Sequence, residues 1–363
     1  METQNNDQKH IHVQRERVFS PGMEERALDD DLVFSIVSYN ILADCHILPG
    51  YYSYISADQK LMVTRHGQLM VELKTLNGDV VCLQEVGPEY YRSLLLPAME
   101  ELGYQGVYFQ KALGTDEGET TFFKQERFSL AEQKGVILND LFEEVIEQSE
   151  WNEEDKCTIR DYFKRDHVLL ITKMKCSRTE NTVTVGNLHT FWGNWKNIDV
   201  TTLQIALAAQ ELNNFSSDTQ AHILCGDFNM TPKMPGYQLM QEGCLPPKAR
   251  VKLLQAPQLK LSGGDAYLVQ ILEKKFIHCN KKLKSAYKIV EGTEPVFTNY
   301  EDCDGTGNIL ICSLDYIWFN SHNLDVTAVL KTVSEEQVKP LHALPNAVFP
   351  SDHISLQAWF MFH

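Results

Sequence analysis

Six short polar clusters sit at the ends of apolar runs: Ser38-Tyr39-Asn40, Gln84-Glu85, Asn187-Leu188-His189, Gly226-Asp227-Phe228-Asn229, Leu314-Asp315-Tyr316 and Ser351-Asp352-His353. Any one of them is what a chain leaves behind when it turns after a strand. Together they are carboxylates, amides and histidines without a cysteine, which is the donor set of a hard cation rather than of zinc or a thiol nucleophile. Asp227 and Asn229 lie two residues apart at a strand end and so face one side; one can hold an attacking water while the other donates to a phosphate oxygen. Glu85 supplies the carboxylate that Mg²⁺ takes, with phosphate and water filling its octahedron. His353 is an acid/base candidate whose tautomer Asp315 can set by accepting from one ring nitrogen. The same pair also reads as a buried hydrogen-bonded dyad serving stability. The chemistry implied is metal plus phosphate.

Positioning these groups requires strands that end where the polar residues begin. The run at 32–39 is β-branched and aromatic, and predicts a buried strand delivering Asn40. Helical spacing of Leu61, Leu69, Leu73 and Leu76 predicts a helix over 58–76, stopped by Asn77-Gly78 ahead of a strand at 79–83. A helix near 89–102, strands at 106–110, 119–124, 167–174 and 182–188, a helix at 199–214 and a strand at 221–225 follow. Further strands are expected at 295–300, 314–319 and 354–360. This alternation is α/β, with no repeat and no separable second domain. Residues 1–31 are polar and end in Asp29-Asp30-Asp31, predicting a flexible, solvated lead-in before a single domain over 32–363. The acidic stretch 138–165 reads as an exposed helix or insertion, and 246–284 as a basic island rich in lysine.

Composition narrows the function classes. Of 363 residues, 43% are hydrophobic and 23% charged, which is globular and excludes disordered, collagenous and coiled-coil readings. With 49 acidic against 33 basic side chains the net charge is −16, so a surface that wraps long duplex by neutralising phosphates is excluded and a polyanion must be met locally. No apolar run approaches the ~18 residues of a membrane span. Nine scattered cysteines with no signal-peptide pattern predict reduced thiols and a cytoplasmic protein, with a nuclear location the second choice and a mitochondrial one only for a chain whose transit peptide has been removed. Motifs of kinases, dehydrogenases, serine hydrolases and zincins are absent.

The ordered set SYNILAD at 38–44, CLQEV at 82–86, CGDFN at 225–229, LDYIWF at 314–319 and LPNAVFPSDHISL at 344–356 resembles the endonuclease/exonuclease/phosphatase superfamily. More narrowly it resembles the branch of deadenylases, nocturnin, Angel proteins and 2′,5′-phosphodiesterase, over roughly residues 33–361. EGETTFFKQERFSL at 117–130 is similar to the 2′,5′-phosphodiesterase members, whereas GYQG at 103–106, SAYK at 285–288 and LDYIW at 314–318 are as similar to nocturnin. The resemblance implies a four-layer α/β sandwich, two mixed β-sheets flanked by helices, with a Mg²⁺-dependent phosphoester hydrolase site at one end and Mn²⁺ as a substitute. It implies metal binding by Glu85, Asn40 and Asp352, water and phosphate positioning by Asp227 and Asn229, phosphate contact by His189 and His353, and orientation of His353 by Asp315.

Substrate recognition departs from the deadenylase pattern. Those members carry a proline two residues after the tryptophan of their histidine motif, where this chain has Trp192-Gly193-Asn194. They also place a stacking aromatic five residues before the LDY aspartate, where this chain has Leu310. Trp192 and Asn194 are therefore expected at the substrate, with Phe297 or Tyr300 supplying the stacking ring. The expected activity is a Mg²⁺-dependent phosphodiesterase or 3′-exoribonuclease acting on poly(A) tails or 2′,5′-oligoadenylate, the basic island guiding the RNA strand. Its alternatives are a phosphatase for a small nucleotide or for 2′,3′-cyclic-phosphate RNA ends, and a catalytically silent RNA-binding scaffold. No membrane partner is expected, and protein partners are not indicated.

Overall fold

Strands buried on both faces read as unbroken apolar runs, and such runs form the centre of this molecule. The computed structural model describes residues 13–24, 30–112, 114–193, 195–216, 220–256, 261, 267–275 and 283–363. Among them, a seven-stranded sheet runs β1 (Arg17–Phe19), β14 (Leu324–Leu330), β15 (Leu356–Phe362), β2 (Val33–Asn40), β3 (Val80–Gln84), β5 (Gly118–Lys124), β4 (Tyr104–Gln110). A six-stranded sheet runs β10 (Lys284–Ser285), β13 (Asp315–Phe319), β9 (Ala221–Asp227), β8 (Thr182–His189), β7 (Val168–Cys176), β6 (Phe128–Ile137). A hairpin of β11 (Asn299–Glu301) and β12 (Leu310–Cys312) stands apart from both.

Alternate side chains of each sheet face the other: Phe34, Ile36, Val80 and Phe123 pack on Leu170, Val183, Val185 and Ile223. On the outer side of the first sheet, Val37, Tyr39, Val81 and Leu83 meet Leu69 and Leu73 of helix Met62–Leu76, with Leu95 and Met99 from the helical run after Pro88. Helix Ile198–Ser216 covers the second sheet, laying Ile205, Ala208 and Leu212 on Leu169, Ile171, Leu188 and Leu224. This is the expected four-layer sandwich, two mixed sheets between helices.

Each sheet contains one parallel pair, β2 with β3 and β8 with β9. Parallel neighbours end at the same edge, so Asn40 lies opposite Gln84 in one sheet and His189 opposite Asp227 in the other. The two edges are bolted together by side-chain amides: Gln84 Nε2 donates to Asn187 Oδ1 at 2.7 Å, and Asn187 Nδ2 donates to the carbonyls of Leu83 and Thr120 at 3.0 and 2.9 Å. Buried Arg65 adds a second tie, donating to the carbonyls of Ile41, Leu42 and Pro350 at 2.8, 2.6 and 2.7 Å. It thereby joins the loop after β2 to the loop before β15.

Several expectations are corrected. Within the lead-in, Arg17–Phe19 forms an edge strand paired with β14, and Arg15 donates to the Ser355 carbonyl at 2.7 Å. Three residues are too few to show a period, and the partner edge supplies the hydrogen bonds. Strand β6 was not expected, because it shows no apolar alternation in the sequence: its middle, Ala131 to Gly135, is exposed on both faces, as suits an edge strand. Strand β14 was likewise not expected. The acidic stretch is two helices, Leu138–Glu147 and Glu153–Phe163, the second capped by the Asn152 side chain. The run expected at 295–300 is extended only from Asn299.

Candidate functional site

The six polar clusters meet at one end of the sandwich around a cavity of about 380 Å³. At the end of β2, Asn40 Nδ2 donates to Glu85 Oε1 at 2.8 Å and to Asp227 Oδ2 at 3.0 Å. Glu85 follows β3 at a φ of +59°, a left-handed conformation rare for a side-chain-bearing residue; it turns the carboxylate back toward β2, where the Ala43 N–H also meets it at 2.9 Å. Gly226 lets β9 lie against β8, because a Cβ at its φ of +140° would sit 1.8 Å from the Leu188 carbonyl oxygen. That close approach sets Asp227 beside His189. Asn229, at a φ of +45°, donates its backbone N–H to Asp227 Oδ1 at 2.8 Å and its Nδ2 to the Thr190 carbonyl at 2.8 Å.

Two histidines flank Asp227. His189 Nε2 lies 3.7 Å and His353 Nε2 3.6 Å from the same oxygen, Asp227 Oδ2. The Nδ1 of His353 faces Asp315 Oδ2 at 2.8 Å, and the start of β13 is held in place by Thr298 Oγ1, which accepts from the Leu314 and Asp315 N–H groups at 2.9 and 3.0 Å. The Nδ1 of His189 faces Lys111 Nζ at 3.3 Å, and Lys111 is ion-paired with Glu117. His46 reaches the same Glu117 oxygen at 2.8 Å.

The sequence pattern of the Endonuclease/Exonuclease/phosphatase family matches residues 37–353, a stretch containing all of these groups. The chain belongs to this family. It is 29% identical over 347 residues to the CCR4-Not complex 3′-5′-exoribonuclease subunit Ccr4 of Candida albicans, covering 90% of this chain and 41% of that protein. It is 29% identical over 348 residues to human 2′,5′-phosphodiesterase 12, covering 91% of this chain and 52% of that one. It thus spans about half the length of the curated relatives it matches. The fold is shared with ANGEL2, a 2′,3′-cyclic phosphatase solved with adenosine-2′,3′-vanadate, at a TM-score of 0.73 and 22% identity over 96% of this chain and 99% of that one. Human Nocturnin follows, at a TM-score of 0.60 and 22% identity over 96% and 97% of the two chains.

Electrostatics in this family site divide by wall. Burial pushes the Asp227 carboxyl up to about 7, with His353 opposing and Asp315 adding to the rise. Burial also raises Glu85, partly offset by His46. His353 is held well above the usual imidazole value, because Asp315 and Asp227 outweigh the cost of burying its charge. His189 is held well below, by burial and then by the Lys111 ammonium. Lys111 itself stays charged: burial disfavours its ammonium, and Glu117 and Glu119 overcome that.

The geometry assigns the expected residues unevenly. Asp227, Asn229, His189, His353, Glu85, Asp352 and Trp192 line the cavity, and Asp315 stands behind His353. Asn40 donates its Nδ2 to two carboxylates while its Oδ1 accepts from the Leu42 N–H at 3.0 Å, so it orients the carboxylates. Among the described residues the ligand-like groups are His46 with Glu85 and Glu117, Glu85 with His189 and Asp227, and Asp227 with Asp315 and His353. Asp352 is in none of them; its oxygens are taken by the Tyr52 hydroxyl at 2.7 Å and the Ser351 hydroxyl at 3.2 Å. Phe297 and Tyr300 are corrected as base-stacking rings, being 2% and 1% exposed and packed with Val333, Val338, Leu344 and Ile354. Asn194 lies outside the described residues. No described residue of 246–284 lines the cavity; helix Pro247–Gln255 instead packs Leu253 into the outer helical layer.

Sequence reading missed His46, Lys111, Glu117, Tyr52 and Glu301, all of which line the cavity. Lys111 and Glu117 bracket the turn between β4 and β5, and opposite charges closing a hairpin were the available signal. His46 ends a single 3₁₀ turn, Asp44–His46, and Tyr52 lies in a turn a few residues on, both too short for periodicity to mark them. No described helix is long and apolar enough to cross a membrane.

Proposed function

We propose that this chain is a Mg²⁺-dependent phosphoester hydrolase, a phosphodiesterase or 3′-exoribonuclease acting on RNA tails such as poly(A) or on 2′,5′-oligoadenylate. The observation that carries it is the shared oxygen of Asp227, reached by one amide, Asn40, and two imidazoles, His189 and His353, beside the Glu85 carboxylate. The donors fit a divalent ion: Glu85 and Asp227 offer oxygens, drawn close by the Asn40 amide that bridges them. These two carboxylates would hold Mg²⁺, with Mn²⁺ a substitute, and the ion would supply positive charge for phosphate and acidity for a bound water.

The chain's own groups do the rest. Asp227 is placed to take the proton of an attacking water, its Oδ2 facing the cavity between the two imidazoles. The imidazolium of His353, held by Asp315, donates to a phosphate oxygen or to the leaving oxygen as the phosphorus–oxygen bond breaks. His189 supplies a hydrogen bond from the opposite wall, and Trp192, 38% exposed at the rim, offers a ring face to a base. The activities for which Ccr4, a 3′-5′-exoribonuclease, and 2′,5′-phosphodiesterase 12 are named support this reading.

A second reading, a phosphatase for 2′,3′-cyclic-phosphate RNA ends or a small nucleotide, is favoured by the cavity's size. About 380 Å³ is at the small end of ligand pockets, and no described basic-island residue reaches it. The deciding experiment is a panel of 3′,5′ poly(A), 2′,5′-oligoadenylate, cyclic-phosphate-ended RNA and NADPH, each with and without Mg²⁺, with Glu85→Gln as control. Trimming of either oligonucleotide supports the first reading, and hydrolysis of the cyclic ester or NADPH alone supports the second. RNA binding with no product from any substrate would leave a silent scaffold and overturn both. A cytoplasmic or nuclear location accords with RNA as substrate, and fluorescence imaging of the tagged chain tests it.

A further inference from the structure

Lys111 and His189 are each 5% exposed, and Lys111 Nζ lies 3.3 Å from His189 Nδ1. An ammonium has three donors and no acceptor. The nitrogen it faces must therefore be the unprotonated, accepting one. Were Nδ1 protonated, two donors and two positive charges would confront each other in a buried site. A neutral imidazole carries its single proton on the other nitrogen. Here that nitrogen is Nε2, which points at Asp227 Oδ2 from 3.7 Å and at Glu85 Oε1 from 3.9 Å.

The lysine is fixed in this posture from the hairpin between β4 and β5. Its ammonium is ion-paired with Glu117, and its backbone N–H donates to the Glu117 carbonyl at 2.9 Å. Glu117 is 0% exposed, and the oxygen that holds Lys111 also takes His46 at 2.8 Å. None of these three residues belongs to the six polar clusters.

We propose that Lys111 is a positioning residue: by donating to Nδ1 it keeps the His189 proton on Nε2, so the ring presents an N–H to a substrate phosphate oxygen and is barred from ligating a metal through that nitrogen. The proposal rests on the hydrolase reading for the identity of the phosphate, and on this chain's geometry alone for the tautomer. By atom position, Glu85, His189 and Asp227 form a mixed nitrogen and oxygen triad of the kind that suits zinc or copper. With Nε2 protonated only oxygens remain on offer, which favours Mg²⁺ or Mn²⁺. Lys111 thus acts on both the reaction and the choice of metal.

The test uses the whole chain, ¹⁵N-labelled, stripped of metal with EDTA and then dialysed free of the chelator, with the His189 ring assigned by comparison with His189→Gln. Long-range proton–nitrogen correlation should show a pyridine-type Nδ1 and a pyrrole-type Nε2. Lys111→Met should shift the proton toward Nδ1. Because methionine leaves Glu117 buried without its cation, Lys111→Met/Glu117→Gln is measured beside it and preserves neutrality. Calorimetric titration with Zn²⁺ should give roughly 10-fold tighter binding in the double variant, since a freed Nε2 becomes a ligand. Turnover should fall about 10²-fold with KM little changed, the loss expected for one preorganised donor. A protonated Nδ1 in the unmodified chain, or an unchanged tautomer or Zn²⁺ affinity in the double variant, would overturn the proposal. An unmodified chain that hydrolyses nothing yet shows Nε2–H would refute the hydrolase reading and leave the tautomer assignment standing.

Discussion

Two walls of one cavity each point a histidine at the Asp227 oxygen, and these two are prepared in opposite states. On the wall built from β13 and the loop before β15, His353 turns Nδ1 to an acceptor, Asp315, and is kept as an imidazolium. On the wall built from β8 and the β4–β5 hairpin, His189 turns Nδ1 to a donor, Lys111, and is kept neutral. Both aim Nε2 at the same Asp227 oxygen, at 3.6 and 3.7 Å. The lesson is that the residue behind an imidazole, not the imidazole, decides what it can do. A carboxylate behind it makes a proton donor with charge to give, whereas an ammonium behind it makes a neutral hydrogen-bond donor.

The shared oxygen is where the comparison breaks most sharply. Asp227→Asn removes the base and the common target of both rings, and kcat/KM on the preferred substrate should drop about 10³-fold. A loss under tenfold would mean the two walls do not converge on chemistry. Asp315→Asn attacks one wall only. It should lower kcat about 10²-fold, and because Asp315 raises the His353 pKa, its removal should move the alkaline limb of the kcat profile to lower pH. A limb that stays put would show that His353 does not carry the titrating proton.

The neutral wall can be tested without turnover. His167, next to His189 on that side, is pushed down to about 4 by burial and by Lys111, against the opposing pull of Asp166. Between its ordinary 6.5 and about 4 the unfolded chain binds the proton that the folded chain refuses. Stability from this residue is therefore present above pH 6.5 and lost as pH falls toward 4. His167→Gln should flatten the pH dependence of urea unfolding in that window by up to about 3 kcal/mol. An unaltered slope would mean that burial and Lys111 do not hold the His167 imidazole neutral. The smallest effect belongs to the rim, which neither histidine controls. Trp192→Ala should raise KM for a base-containing substrate by ~1–3 kcal/mol equivalent while leaving kcat near normal.

The two walls were not equally legible. Asp315, Asp352 and His353 follow or precede strong apolar strands, and period and composition alone bring them forward. Lys111 and Glu117 lie where β4 gives way to β5, and the opposite charges that close that hairpin say nothing of the cavity they face. Phe297 and Tyr300 show the converse error. Their type suited base stacking, but the packing around β11 buries both rings. Asn40 was legible as a site residue, whereas which of its amide atoms faces the carboxylates depends on the Leu42 N–H that donates to its oxygen.

What the sequence determined by itself is the α/β alternation, the strand ends that carry carboxylates, amides and histidines, and the family those ends announce. These are local properties, written in periods of two and 3.6 and in the polar residues that stop them. Only the tertiary structure decided which nitrogen of each histidine meets which partner. Those contacts join residues as distant in the chain as Lys111 and His189, or Asp315 and His353, and a few ångströms of packing set whether the neighbour gives a proton or takes one.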